Sequence, residues 1–325
     1  MRYNCLMAVY TEINKSELSS FLTLYNIEEI IKFTGIKEGV ENSNFLLESN
    51  ESKYILTIFE KRTNENDLPY FFNLMNHLND NKIKCPQVIE DKSGKLYNFI
   101  KGKPAVVTSF LEGMSIKKIA PKHCGELGTN LAKFHLASNK LDIKRDNALG
   151  IKDLNNLVDA INKLDLKEHK DLLNVINSEY NYLKNEISFD LPSGIIHADL
   201  FPDNVFFIND QLSGIIDFYF ACNDYYAYEL AICINAWCFE GNNEFNISKA
   251  KSFLNQYNSI RQISEEELKF LPILARAAAL RFLLTRLYDK IHHNEDYLVS
   301  SKDPQEYYEK LKFHQTVKNV SEYGL

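Results

Sequence analysis

Apolar side chains recur at helical spacing over residues 14–26, where Leu18, Phe21, Leu22 and Tyr25 share a face and Ser16 offers a cap. The pattern then shortens to the alternation of half-buried strands. Residues 30–36, 43–48 and 53–60, separated by polar turns at 37–42 and 49–52, predict three antiparallel strands. Residues 66–78 return to helical spacing, with Pro69 in the first turn where a missing N–H costs nothing. Short apolar runs at 88–89, 96–100 and 105–110, around a Ser93-Gly94 turn, predict two or three more strands. From Pro121 the period becomes helical: Cys124, Leu127, Leu131, Phe134 and His135 predict one helix ending near Ser138. Residues 153–164 and 167–187 predict two more, the second striped by Leu172, Leu173, Ile176, Tyr180 and Leu183. Asn223 and Asp224 are placed to cap a helix through Tyr226, Leu230, Ile234 and Trp237. Ser264 and Glu267 form a capping box for a helical region interrupted at Pro272 and continuing to about Ile291. A last helix is predicted near 303–318.

One stretch of the helical part breaks this pattern. Apolar runs at Ile195–Ile196, Val205–Ile208 and Gly214–Ile216 flank a polar loop and an Asn209-Asp210 turn, so His197, Asp199, Asn204 and Asp217 stand at strand ends. Phosphoryl transfer asks little covalent chemistry of a protein. It needs a carboxylate to orient and deprotonate the acceptor hydroxyl, and oxygen ligands to hold Mg²⁺ against the ATP phosphates. Asp199 fits the first role and Asn204 with Asp217 the second, while His197 reads as a brace for the loop. Singly, an Asp or Asn here is an ordinary turn residue; together, in that strand context, the set resembles the catalytic loop and metal aspartate of protein kinases. The spelling His197-Ala-Asp199 is closer to the aminoglycoside-phosphotransferase-like small-molecule kinases.

That resemblance implies an α+β, protein-kinase-like two-lobed fold, with a small antiparallel-sheet N-lobe over residues 1–108, a hinge at 109–113 and a mostly helical C-lobe over 114–325. A chain of 325 residues is long enough for two lobes. The net charge of −7 argues against a nucleic-acid binder, which needs a basic face. Six scattered cysteines without a Cys-x-x-Cys pair read as reduced buried thiols, and no run approaches a membrane span, so the expected location is the cytoplasm. Met7 would also make a start, leaving residues 1–6 as an extension.

In kinase-like lobes the first turn covers the ATP phosphates with backbone N–H groups, a role that falls here to Gly39, Asn42, Ser43 and Asn44. The third strand normally carries a phosphate-pairing lysine; here Thr57 stands in its place. Lys53 and Lys61 lie four residues away, about 13 Å along a strand at about 3.3 Å per residue, so neither replaces it. Backbone groups of Ser109, Phe110 and Leu111 are the expected adenine contacts at the hinge.

Further segments carry a more specific resemblance: residues 33–45, 54–60, 102–105, 216–224, 235–239 and 279–289 resemble the bacterial homoserine kinases of the aminoglycoside-phosphotransferase-like class. That family also resembles this chain in having threonine in place of the strand lysine. The resemblance implies ATP- and Mg²⁺-dependent phosphorylation of the L-homoserine hydroxyl, a step of threonine biosynthesis. A zwitterionic substrate needs a cation for its carboxylate. Arg276, Arg281 and Arg286 fan around the last long helix; Arg286 has Asp289 at i+3, and Arg281, set among Ala279, Leu280, Phe282 and Leu283, is the candidate for the substrate carboxylate, with a core ion pair to Glu229 as the equal alternative. Rival acceptors are choline, with Tyr225, Tyr226, Tyr228 and Trp237 as an aromatic cage, methylthioribose, or an aminoglycoside, with Glu265–Glu267 as the acidic cluster. The missing lysine motivates a nucleotide-binding pseudokinase as the reading from another class.

Overall fold

The computed structural model describes residues 11–36, 42–60, 63–150, 153–163, 170–187, 190–292 and 302–325. The chain divides after Glu112 into two compact units.

The first unit is built on a five-stranded antiparallel sheet in the order β1-β2-β3-β5-β4. Its strands are β1 (Lys32–Gly35), β2 (Ser43–Glu48), β3 (Lys53–Ile58), β4 (Asn98–Ile100) and β5 (Lys103–Ser109). Alternation sends Phe45, Leu47, Leu56, Ile58, Ala105 and Val107 to one face, where α1 (Lys15–Leu22) packs Leu18 and Phe21 against them. Asn14 caps α1 in a reciprocal box with Glu17, two positions before the expected Ser16. A second helix, α2 (Leu68–Asp80), begins with proline in its first turn and buries Phe71, Phe72, Leu74, Met75 and Leu78. Val88 contributes only an isolated bridge to Thr108.

The second unit holds seven helices among the described residues: α3 (Pro121–Ser138), α4 (Asn155–Asn162), α5 (Lys170–Glu186), α6 (Tyr226–Trp237), α7 (Ile247–Ile260), α8 (Glu265–Ile291) and α9 (Pro304–Thr316). Two short ladders carry the polar loop, β6 (Ser193–Ile196) with β9 (Cys222–Tyr225), and β7 (Val205–Ile208) with β8 (Gln211–Ile215).

Two of these expected elements change, and one helix is added to them. Asn223 and Asp224 do not cap α6; they pair in β9 with Ile195 and Gly194, and their side chains hold the 145–147 segment through Arg145 N–H and Asn147 Nδ2. Pro272 does not interrupt α8, which runs through it, because burial of Leu271, Leu274, Ala275 and Ala278 on either side offsets the one lost backbone bond. Helix α7, capped by Asn246 and burying Ala250, Phe253, Leu254 and Tyr257, was not anticipated, although those positions hold helical spacing.

Helix α7 lies against α3 through small residues. A Cβ on Gly128 would stand 2.2 Å from the Phe253 carbonyl oxygen and 3.0 Å from the Tyr257 nitrogen, both backbone atoms. Gly128→Ala therefore forces the helices apart and is expected to destabilise the protein by about 1–3 kcal/mol. The check is a urea midpoint that falls with an unchanged m-value; an unmoved midpoint would contradict the packing described.

Candidate functional site

Strand β6 delivers the chain into the loop at His197, and every turn of that loop is tied down. The Phe201 N–H donates to the Asp199 carbonyl at 2.8 Å and the Asn204 N–H to that of Phe201 at 3.0 Å, which closes a short 3-10 turn over Pro202–Asn204. Asn209 and Asp210 then both adopt positive φ, at 50° and 65°, the conformation a tight β7–β8 hairpin demands and that these two residue types tolerate. The hairpin returns the chain so that the Ile216 N–H meets the Asn204 carbonyl at 3.0 Å, one residue before Asp217.

His197, Asp199 and Asn204 share one local hydrogen-bond network, which reaches the Ile216 carbonyl, one residue before Asp217. The Asn204 amide nitrogen donates to the Asp199 carbonyl at 2.8 Å and to its carboxylate at 3.2 Å. That orientation turns the Asn204 Oδ1 acceptor away from Asp199. His197, 1% exposed, spans the loop: Nε2 donates to the Ile216 carbonyl at 2.9 Å, and Nδ1 accepts from the Asp199 N–H at 3.3 Å. Asp217 sits at φ 63°, ψ 66°, a left-handed conformation that aspartate visits more readily than most side chains. Asn204 Oδ1 and the Asp217 carboxylate are hard oxygen donors, the chemistry Mg²⁺ takes when phosphates and water complete its shell. The donor set therefore fits the ion.

Buried groups from the helices hold the loop from behind. Trp237 of α6, fully buried, donates Nε1–H to the Leu200 carbonyl at 2.8 Å, a core role and not a ligand platform. Glu229, also on α6 and fully buried, accepts from the His197 N–H and, at 2.9 Å, from the Ala198 N–H. Arg281 of α8, 2% exposed, donates Nη1–H to the Ala198 carbonyl at 2.7 Å. The sequence singled out Glu229 only as a partner for Arg281; a lone carboxylate inside the apolar run 226–237 was the signal that it serves the loop. The other two arginines of α8 are spent elsewhere, Arg276 on both Glu179 oxygens at 2.6 and 2.7 Å, and Arg286 on Glu306 at 2.6 Å in place of the expected Asp289.

Burial sets the protonation of these groups. It pushes the His197 imidazole down to about 4 and, at the far end of α9, the His314 imidazole down to about 3. Both are neutral in the fold, whereas the unfolded chain protonates near the usual 6.5, so their stabilisation is complete above 6.5 and is lost as pH falls toward 4. Glu229 has the opposite sign: burial raises its carboxyl to about 7, so stability is lost as pH rises through that value. His314→Gln is expected to flatten the acid limb between pH 6.5 and 4 in denaturant titrations. An unchanged limb would contradict a neutral buried imidazole.

In the first unit the expected nucleotide residues separate by face. Asn44 and Thr57 are direct cross-strand partners, with the Thr57 hydroxyl donating to Asn44 Oδ1 at 2.7 Å, and Val106 lies beside Thr57 on the same face. Ser43 points to the opposite, α1-covered face, fully buried; its hydroxyl donates to Glu60 at 2.7 Å and accepts from the Thr11 N–H at 2.9 Å. Asn42 Oδ1 accepts from the Glu60 N–H at 3.2 Å, and Lys103 pairs with the Glu60 carboxylate. Ser43 and Asn42 thus tie down the hairpin base through Glu60, because period-two alternation carries Ser43 away from Asn44. Gly39 and Lys61 lie outside the described residues. Ser109 and Phe110 N–H groups bond the Gln87 and Lys53 carbonyls at 2.8 and 3.2 Å, whereas the Leu111 N–H donates to no group among the described residues.

A five-stranded antiparallel unit followed by a helical unit carrying this loop is the fold of the protein-kinase-like phosphotransferases, as the sequence led one to expect. Amicoumacin kinase hAmiN in complex with AMP-PNP, Ca²⁺ and Ami superposes with a TM-score of 0.73 at 13% identity, covering 95% of each chain. A microcompartment-associated aminopropanol kinase gives 0.71 at 15% identity, over 96% of this chain and 99% of that one. The chain belongs to the phosphotransferase enzyme family, which it matches over residues 32–263. The homoserine kinase of Agrobacterium fabrum (strain C58) is 50% identical over 319 residues, 98% of this chain and 99% of that protein. That of Parvibaculum lavamentivorans (strain DS-1) is 48% identical over 319 residues, with the same coverage.

Proposed function

We infer that this chain transfers the γ-phosphoryl group of ATP to the side-chain hydroxyl of L-homoserine, giving O-phospho-L-homoserine and ADP. The observation that carries this reading is the 50% identity to a curated homoserine kinase along nearly the whole of both chains. The loop chemistry supports it. Asp199, oriented by the Asn204 amide, accepts the hydroxyl proton as the oxygen attacks phosphorus. Asn204 and Asp217 hold Mg²⁺, which when bound neutralises charge on the phosphates. Asn44, fixed by Thr57, offers its amide N–H groups to phosphate oxygens in place of a lysine, and the Leu111 N–H meets the adenine edge.

The choline and aminoglycoside readings gain nothing from the structure. Tyr226, Tyr228 and Trp237 are buried and form no open aromatic cage, and Glu267 is consumed by the Ser264 capping box and by Arg261 at 3.0 Å. The five described cysteines are free and buried, in keeping with a reducing cytoplasm, and no described helix is long and apolar enough to cross a membrane. The test is ADP release from ATP and Mg²⁺ with L-homoserine, choline, methylthioribose or an aminoglycoside as acceptor. Turnover confined to homoserine supports the reading, and turnover confined to another acceptor overturns it.

A further inference from the structure

Ala198 is the anomaly of the loop. Its φ of 63° puts an alanine in the left-handed region, where a Cβ crowds the following carbonyl and where glycine or asparagine is the usual choice. Such a residue persists only where its surroundings hold it from several sides. Here two helices do so. The Ala198 N–H is bonded to Glu229 of α6 at 2.9 Å and its carbonyl to Arg281 of α8 at 2.7 Å. The Glu229 carboxylate takes the neighbouring His197 N–H as well, and the Arg281 charge offsets that of Glu229 across the residue they grip. The residue after Ala198 is Asp199. A change at Ala198 toward ordinary backbone angles would swing the Asp199 carboxylate out of the place that Asn204 and the 3-10 turn define.

We propose that Arg281 and Glu229 are positioning residues that hold Ala198 in its left-handed conformation and so aim the Asp199 carboxylate at the acceptor hydroxyl. Arg281 thereby acts from behind the loop, its Nη1–H spent on a backbone carbonyl in place of the substrate carboxylate expected from the sequence. This rests on the reading of Asp199 as base. The two proposals for Arg281 separate kinetically: a residue that binds the substrate carboxylate changes KM for homoserine, whereas a residue that aims the base changes kcat.

The test compares Arg281→Met, Arg281→Lys, Glu229→Met and Glu229→Gln with the unmodified chain, each also in an Asp199→Asn background. Arg281→Met is expected to lower kcat about 10²-fold, the scale of a small misplacement of a catalytic group, with KM for homoserine and ATP held. Arg281→Lys, which keeps a donor, and Glu229→Gln, which keeps an acceptor, should each lose far less than the methionine variant at the same site. In the Asp199→Asn background the methionine variants should cost almost nothing further, because they act through a carboxylate already removed. A rise in homoserine KM, or a loss of equal size in both backgrounds, would overturn the positioning role while leaving Asp199 in place. Should a methionine variant fail to fold, the lysine and glutamine variants decide alone: a kcat loss that vanishes in the Asp199→Asn background supports the proposal, and one that persists there overturns it. Silence of the unmodified chain toward homoserine would instead overturn the substrate reading itself.

Discussion

Asp199→Asn lowers kcat for homoserine phosphorylation by about 10²–10⁴-fold, the usual contribution of a positioned base. The substitution keeps the shape of the side chain, so the loop it anchors should persist: the bonds from the Phe201 N–H and the Asn204 side-chain amide to the Asp199 carbonyl do not involve the carboxylate. What is lost is the proton acceptor. KM for ATP should change little, because no phosphate contact is assigned to Asp199. Steady-state ADP release under saturating ATP and homoserine measures the effect, with the midpoint of thermal unfolding as a control for the fold. A variant as active as the unmodified chain would remove Asp199 from the mechanism.

The second large effect falls at Asp217. Asp217→Asn is the informative variant because asparagine tolerates the left-handed angles that residue 217 adopts, so a folding defect does not mask the chemistry. Losing the anionic oxygen removes a charge-assisted contact to the metal, worth about 1.5–3 kcal/mol, which corresponds to an affinity for the Mg²⁺–nucleotide complex weaker by about 10–100-fold. Titration calorimetry with a non-hydrolysable ATP analogue, with and without Mg²⁺, checks this. The unmodified chain should bind more tightly with the ion, and the variant should lose that difference; a metal dependence retained in full would contradict the assignment.

The elements legible in the sequence are those whose information is local. Helix α3 begins at Pro121 and ends at Ser138 as its spacing predicts, and the Ser264–Glu267 box opens α8, because proline, caps and periodicity act over a few residues. The strands 43–48 and 53–58 are legible for the same reason. What escaped depends on distant partners. Asn223 and Asp224 look like a cap until β6 is seen beside them, and Pro272 looks like a break until the surrounding core is in place. Arg286 pairs with Glu306, twenty residues on, and not with the nearer Asp289. At the site, the order of His197, Asp199, Asn204 and Asp217 was readable as a constellation, whereas the grip on Ala198 was not: it joins side chains that lie 31 and 83 residues away in sequence. Sequence spacing likewise put Asn42, Ser43 and Asn44 together, and only the strand register shows which of them looks away from the others.

The most direct measurement is transfer of label from ATP carrying a marked γ-phosphoryl group to L-homoserine, followed by identification of the labelled product. The account predicts one labelled product, with the phosphoryl group on the homoserine side-chain oxygen, formed in step with ADP. Label left in ATP, released as inorganic phosphate or carried only by another acceptor would contradict it.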